Sequence, residues 1–289
     1  MEAIEIRGLE KEYKNFKLDL KELIVKKGYI TGFIGPNGSG KTTAIKAIMN
    51  MVKVDSGEIL VLGENIAKNV NIKETVSFVG DTCGFLEENK IRNIKRSVSR
   101  FYKIWDNDLY NRLIDKFNIN EDSIYGKLSK GKKKQFELAM ALATKPKVLI
   151  MDEPTANLDP VVRNEFLEVL QEQMENENNT VFYSTHITSD LEKCADYIIF
   201  IYKGEVVLEG EKDLILENHS IIKGKKALLD IDTEKSLISI KTSGYNFEGL
   251  TDNKIKAFEI FGNEVIYEKP TLEDIMVFYI GREVIWKEL

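Results

Sequence analysis

The apolar positions of this chain change period several times, and each change marks an element. Residues 1–34 read as short strands broken by charged turns. They end in "YITGFIG" (29–35), an apolar, β-favouring run that predicts a buried strand. In "KTTAIKAIMNMV" (41–52) the spacing becomes helical, with Ile45, Ile48, Met49 and Val52 on one face. Strand-like "EILVLG" (58–63) and "TVSFVG" (75–80) follow. Residues 89–118 are polar, charged and aromatic, and predict two helices around "IRNIKRSVSRFYK" and "LYNRLIDKFN". A third helix, "QFELAMALAT" (135–144), is apolar on nearly every side and so predicts burial. "KVLIM" (147–151) has the continuous apolar character of a strand inside a parallel sheet. Asp159 and Pro160 form an N-cap and first-turn pair. Val162, Phe166, Val169, Leu170 and Met174 then line one face of the helix that follows. "TVFYST" (180–185) is the next strand.

Strand and helix in alternation predict an α/β domain with a parallel sheet. It covers residues 1–218, with a helical subdomain inserted at about 82–145. Beyond 218 the pattern weakens into short strands such as "LISIK" and "EVIYE". This predicts a small α+β extension over 219–289 that closes with a helix at 272–280, after Pro270 and an N-cap at Thr271. There are no repeats and no low-complexity segment.

Composition narrows the setting. A chain of 289 residues, 43% hydrophobic and 30% charged, can bury a sizeable core under a soluble surface. A net charge of −6 argues against broad nucleic-acid binding, so no nucleic-acid partner is expected. Cys83 and Cys194 have no paired metal spacing and read as ordinary small side chains in a reduced, intracellular setting. The start, "MEAIEIRGLEKEY", is charged throughout, unlike a signal peptide. The longest conspicuous apolar run, "YIIFIY" (197–202), is far short of a membrane span, so the chain is not expected to cross a membrane by itself.

The chemistry begins at Gly35-Pro36-Asn37-Gly38-Ser39-Gly40-Lys41-Thr42-Thr43, between the buried strand and the helix at 41–52. Gly35, four residues, then Gly40, Lys41 and Thr42 is the spacing of a phosphate-binding loop in the strand–loop–helix context it requires. Glycines let backbone N–H groups turn inward towards a phosphate, and the helix N-terminus adds unpaired donors. Lys41 reaches the outer phosphates and the Thr42 hydroxyl binds Mg²⁺. In "VLIMDEP", Asp152 and Glu153 leave the C-terminal end of a buried strand, the edge where open α/β sheets bind ligands. Asp152 is placed to hold Mg²⁺, and Glu153 to polarise an attacking water. The bland alternative is two acids beginning a surface turn. His186, after the next strand, can touch the γ-phosphate and orient that water, although a lone histidine is more often structural.

Taken in order, "GPNGSGKTT" (35–43), "LSKGKKK" (128–134), "LIMDEPTANLD" (149–159) and "STH" (184–186) resemble the ATP-binding subunits of ABC transporters over about residues 2–215. The resemblance implies a P-loop NTPase core, an antiparallel β subdomain at the N-terminus, and an ATPase that uses ATP and Mg²⁺. It implies partners too: an integral-membrane transporter subunit and a second ATP-binding subunit, identical or not, paired head to tail. The chain would lie in the cytoplasm, peripheral on the inner face of the membrane. Tyr13 matches the aromatic that stacks on adenine. Ser129 and Gly131 would meet the γ-phosphate of the partner's ATP. Ser129 is a plausible N-cap and Gly131 allows close backbone approach. "KLSKGKKK" carries five lysines in eight residues near a helix start, where positive charge is unfavourable, and an anionic ligand would relieve this. A solvated lysine-rich face is the alternative for Lys132 to Lys134.

Two departures stand out. Lys130-Gly131-Lys132 replaces the family's Gly-Gly-Gln, and Asp81 falls where a glutamine normally contacts Mg²⁺ and water. Both resemble a bacterial subgroup serving drug, antibiotic or peptide exporters, as does the tail "EKPTLEDIMVFY" (268–279). The main reading is an ATPase subunit that powers a separate membrane subunit. The alternative is a soluble ABC-type ATPase acting on ribosomes or DNA. Such proteins usually carry a second nucleotide domain or a long coiled coil, and this sequence has neither. A regulator without turnover would want Glu153 or His186 missing. Asp81 and the helices at 89–118 are expected to face the membrane subunit, with Phe85, Phe101, Tyr102 and Trp105 divided between docking and the subdomain's own core.

Overall fold

The computed structural model describes residues 2–80, 84–175 and 179–285. The N-terminal segment forms β1 (Glu2–Tyr13) and β2 (Phe16–Lys26), joined by a tight hairpin in which Tyr13 pairs with Phe16. These strands have 12 and 11 residues, so the expectation of short strands is corrected. The charged residues that suggested breaks alternate with buried ones on a half-exposed sheet, as in Leu18, Leu20, Leu23 and Val25 of β2. β3 (Ile30–Ile34) leads into α1 (Lys41–Ile48). β4 (Ser56–Val61) and β5 (Glu64–Asn65) complete an antiparallel sheet of order β2-β1-β4-β5.

β6 (Val76–Val79) opens the helical insertion of α2 (Ile91–Ser99), α3 (Asn107–Lys116) and α4 (Lys130–Ala143). α4 starts five residues before the apolar run because the Ser129 side chain caps it, accepting from Lys132 N–H. Then come β7 (Val148–Asp152), α5 (Pro160–Met174), β8 (Thr180–Thr185), α6 (Thr188–Cys194), β9 (Tyr197–Tyr202), β10 (Glu205–Glu211) and α7 (Lys212–Asn218). The second sheet runs β10-β9-β3-β8-β7-β6, parallel except for the edge strand β10. Its centre is buried on both faces. Leu149 and Met151 of β7 face one core with α4 and α5, while Val148 and Ile150 face another with α1 and the N-terminal sheet.

The C-terminal segment builds a third, antiparallel sheet. Its elements are β11 (Ser220–Lys225), α8 (Ile231–Lys235), β12 (Ser239–Ser243), β13 (Asn246–Thr251), α9 (Lys254–Phe261) and β14 (Ile266–Glu268), with strand order β12-β13-β11-β14. α10 (Leu272–Ile285) outruns its expected end at 280. Thr271 caps it as the sequence suggests, its hydroxyl accepting from Asp274 N–H at 3.1 Å. Leu272, Ile275 and Phe278 return to the main core, joining Ile221 and Leu250, so apolar packing continues across residue 218. Ile222, Phe247, Ala257 and Phe261 form a small core of the segment's own. Among the described residues, no helix is long and apolar enough to cross a membrane.

Candidate functional site

The buried strand β3 delivers the chain to the phosphate loop, and two glycines make that loop possible. A Cβ on Gly35 would lie 2.3 Å from the Ile201 carbonyl oxygen. Gly40 has φ +112° and its Cβ would come 2.8 Å from the Phe16 ring. No side chain fits either position, so bare backbone lines the turn into α1. Ser39 Oγ is buried there without a hydrogen-bond partner. Lys41 is 6% exposed and folds back over the loop, donating to Gly35 O at 2.6 Å and Pro36 O at 3.3 Å. Its Nζ is 3.6 Å from Glu153 Oε1. Burial pushes the lysine's pKa down, and the Glu153 and Asp152 carboxylates oppose that shift. A loop with an orphaned hydroxyl, inward backbone and a lysine resting on its own carbonyls fits a phosphate chain, which would offer Lys41 stronger acceptors.

The acids stand on the other side of the same opening, at the C-terminal end of β7. Asp152 is buried and accepts from Ser184 Oγ at 3.1 Å. Burial raises its pKa, and hydrogen bonds from Thr42 and Ser184 counter the rise. Thr42 and Asp152 thus bring two hard oxygen donors together beside the loop. That set fits Mg²⁺, which takes few protein ligands and fills its shell with water and phosphate oxygens. Among the described residues there is no cluster of three or more His, Cys, Asp and Glu suited to a protein-only metal cage.

Glu153 is the next residue, with φ +50°. This left-handed backbone costs a non-glycine residue roughly 1–2 kcal/mol. It is held by Glu153 N–H donating to Ser184 O at 2.9 Å. The carboxylate then meets His186, whose Nδ1 is 2.8 Å from Oε2 and whose backbone N–H donates to the same oxygen at 3.3 Å. Glu153, His186, Asp152, Thr42 and Asn37 line a cleft of about 790 Å³. Its far wall includes Phe85, Glu137 and Tyr102 from the helical insertion.

The remaining predicted residues lie apart. Tyr13 is 44% exposed on the β1–β2 hairpin, its ring 6.5 Å from Phe16, the residue that backs Gly40. Ser129 and Lys130 are exposed at the start of α4, and neither Ser129 nor Gly131 lines the cleft. Gly131 packs against α5, where its Cβ would lie 3.0 Å from Val162 Cγ1. Asp81 falls outside the described residues. Lys132 to Lys134 do not form one solvated face. Lys132 donates to Phe117 O, Lys133 pairs with Glu87 at 2.9 Å, and Lys134, nearly buried, donates to Gly80 O and pairs with Glu137 at 2.9 Å.

Of the four aromatics, Phe85 stacks edge-on against Tyr125 at 5.6 Å and Trp105 packs on Tyr110, while Phe101 is 85% exposed. Sequence reasoning quoted Ser184 within "STH" without giving it a role, and it missed Glu137. Ser184 is a small polar residue inside the apolar strand "TVFYST", and Glu137 is the single acid in the apolar run of α4.

Comparison with known proteins agrees with this geometry. Residues 18–156 match the family model for ABC transporters. The chain is 31% identical to the ABC transporter ATP-binding protein YtrB of Bacillus subtilis over 217 residues, covering 75% of this chain and 74% of that protein. It is 31% identical to the bacitracin transport ATP-binding protein BcrA of Bacillus licheniformis, over 71% of this chain and 69% of that protein. A putative ABC transporter ATP-binding protein of Mycoplasma pneumoniae matches at 30% over 97% of this chain and 88% of its own length. Among solved structures, the ATP-binding subunit of an ABC transporter superposes with a TM-score of 0.67 at 26% identity, covering 74% of this chain and 92% of that one. With its phosphate loop, paired acids and histidine assembled at one sheet edge, the chain belongs to the family of ABC transporter ATP-binding subunits, which are ATPases.

Proposed function

We propose that this chain hydrolyses Mg·ATP in a head-to-tail pair with a second ATP-binding subunit, and that the cycle drives an integral-membrane subunit that exports its cargo. The observation that carries the reading is Glu153, strained at φ +50° and held 2.8 Å from His186 and 3.6 Å from Lys41 beside the phosphate loop. In this reading Lys41 leaves the Gly35 and Pro36 carbonyls for the outer phosphates. The loop backbone from Gly35 to Thr43 cradles the phosphate chain, and Tyr13 stacks on the adenine. Thr42 and Asp152 hold Mg²⁺, which when bound neutralises phosphate charge. Asp81 adds an oxygen ligand from the segment after β6. Glu153 accepts the proton of the attacking water, and His186 keeps its carboxylate aimed. Ser129 and Gly131 complete the partner subunit's site.

Export is supported by the relatives, which include proteins named for bacitracin and lantibiotic transport. Docking at the inner face of the membrane is supported by exposed apolar side chains on the helical insertion, Phe101, Ile104 and Leu86. The test is Glu153→Gln. The amide cannot accept a proton, so ATP binding persists, turnover falls by about a thousandfold, and light scattering detects an ATP-dependent dimer. Turnover at the wild-type rate would remove Glu153 from the base role.

A further inference from the structure

Four polar side chains meet beneath the site, and the hydrolysis scheme uses none of them. Asp190, in the first turn of α6, is 1% exposed. Its Oδ2 accepts from Thr155 Oγ1 at 2.6 Å and from the Tyr183 hydroxyl at 3.0 Å. Those two hydroxyls lie 2.7 Å from each other. Its Oδ1 is 2.6 Å from Arg163 Nε, an ionic contact without an aligned N–H bond. Thr155 and Tyr183 are fully buried. A buried carboxylate satisfied by two hydroxyls and a guanidinium is held firmly, because removing any partner leaves polar atoms unpaired in a low dielectric.

The placement of the four gives the cluster its meaning. Thr155 lies two residues beyond Glu153, in a turn closed by Ala156 N–H to Glu153 O at 3.3 Å and Leu158 N–H to Thr155 O at 3.2 Å. Tyr183 sits on β8 beside Ser184, the hydroxyl that donates to Asp152. Asp190 is four residues past His186, on a seven-residue helix with no side-chain cap. Arg163 is one turn past Asp159, the N-cap of α5. One carboxylate therefore ties together the segments that carry Glu153, His186 and the Asp159 turn.

We infer that Asp190, with Tyr183 and Thr155, is a positioning residue that fixes the register between Glu153 and His186. Glu153 occupies a left-handed backbone and His186 is 45% exposed, so their own 2.8 Å contact is a weak constraint. The buried carboxylate sets the distance between the two chain segments, and the Glu153–His186 contact follows. The inference rests on the reading of Glu153 as the base.

The experiment is a double-mutant cycle of Tyr183→Phe with His186→Ala in the assembled ATPase. Phenylalanine fills the same space, so the melting temperature and the Mg·ATP affinity provide the folding and binding controls. Tyr183→Phe is expected to keep the affinity within about twofold and lower kcat by about tenfold or more, since small misplacements of reacting groups are expensive. Added to His186→Ala it should lower kcat no further. Asp190→Asn should behave like Tyr183→Phe where it folds, and Asp190→Glu should recover part of kcat. Unchanged kcat in Tyr183→Phe, or losses that multiply with those of His186→Ala, would overturn the inference. Glu153→Gln measured alongside separates the two readings: normal turnover there defeats the base assignment, whatever the cycle gives.

Discussion

The two loops that face phosphate in the proposed pair contain very different shares of their own function. The loop at 35–43 is complete within the chain. Gly35 and Gly40 have no room for side chains, Ser39 Oγ awaits a partner, and Lys41 already rests against the loop it serves. The segment at 129–134, the cap and first turn of α4, is locally satisfied without any ligand. Ser129 caps α4, Gly131 packs on Val162, and Lys132 to Lys134 find carbonyls or carboxylates of their own subunit. Five lysines near a helix start raise the electrostatic cost of that end, yet the fold lowers it internally. The first loop can therefore be judged from one chain. The second takes its meaning from a surface that another subunit would present.

The sharpest way to break this comparison is Lys41→Ala. The outer phosphates lose a charge-assisted donor, which is worth roughly 2–3 kcal/mol, so Mg·ATP affinity of the single chain should fall by about a hundredfold. Calorimetry on the isolated chain reads it directly. Unchanged affinity would mean that the loop is not the phosphate site. The melting temperature is the folding control, because Lys41 is buried and its loss leaves the Gly35 and Pro36 carbonyls without this donor.

Gly131→Ala should have a smaller and more selective effect. Its backbone is helical, so alanine gains roughly 0.5–1 kcal/mol of helix preference, offset by a tight 3.0 Å approach to Val162 Cγ1. Stability and single-chain ATP affinity should stay near wild type. Turnover of the pair should drop by about tenfold, because the methyl group presses on Val162 and shifts the start of α4 that would meet the partner's phosphate. If turnover of the pair is unaffected, the second loop is only a helix cap.

The same contrast explains what could be read before the fold was known. The convergence of the loop at 35–43, Asp152, Glu153 and His186 on one cleft was legible because the proposed chemistry needs fixed spacing inside short segments, and the apolar strands that deliver them are continuous. Ser129 was legible as a cap for the same local reason. The Asp190 cluster was not. Thr155, Tyr183, Asp190 and Arg163 are ordinary residue types spread over 155–190, and only the parallel pairing of β7 with β8 and the packing of α5 and α6 bring them together. Lysines read as one charged run turned out to have three different destinations, because a helix start points successive side chains about 100° apart. Phe85 could not be sorted from Phe101 by composition. One packs on Tyr125 and Phe136, and the other stands in solvent.

Lys133→Ala is the mildest probe and the one that best separates a local role from a ligand role. Its Nζ sits 2.9 and 3.0 Å from the two oxygens of Glu87 and 4.9 Å over the Tyr125 ring. The lysine is 23% exposed and the glutamate 61%, so solvent screens the pair and its net worth is about 0.5 kcal/mol. Thermal melting should shift by only about 1–2 °C in a chain of this size. That shift should shrink in high salt, where exposed ion pairs are screened. Glu87→Ala should give nearly the same shift, and the double variant should add little, because both single changes remove one contact. ATP turnover of the assembled pair should stay within about twofold of wild type under this assignment. A much larger fall in turnover, reproduced by Lys133→Ala but not by Glu87→Ala, would mean that the lysine serves the partner's phosphates and that its contact with Glu87 is only its resting place.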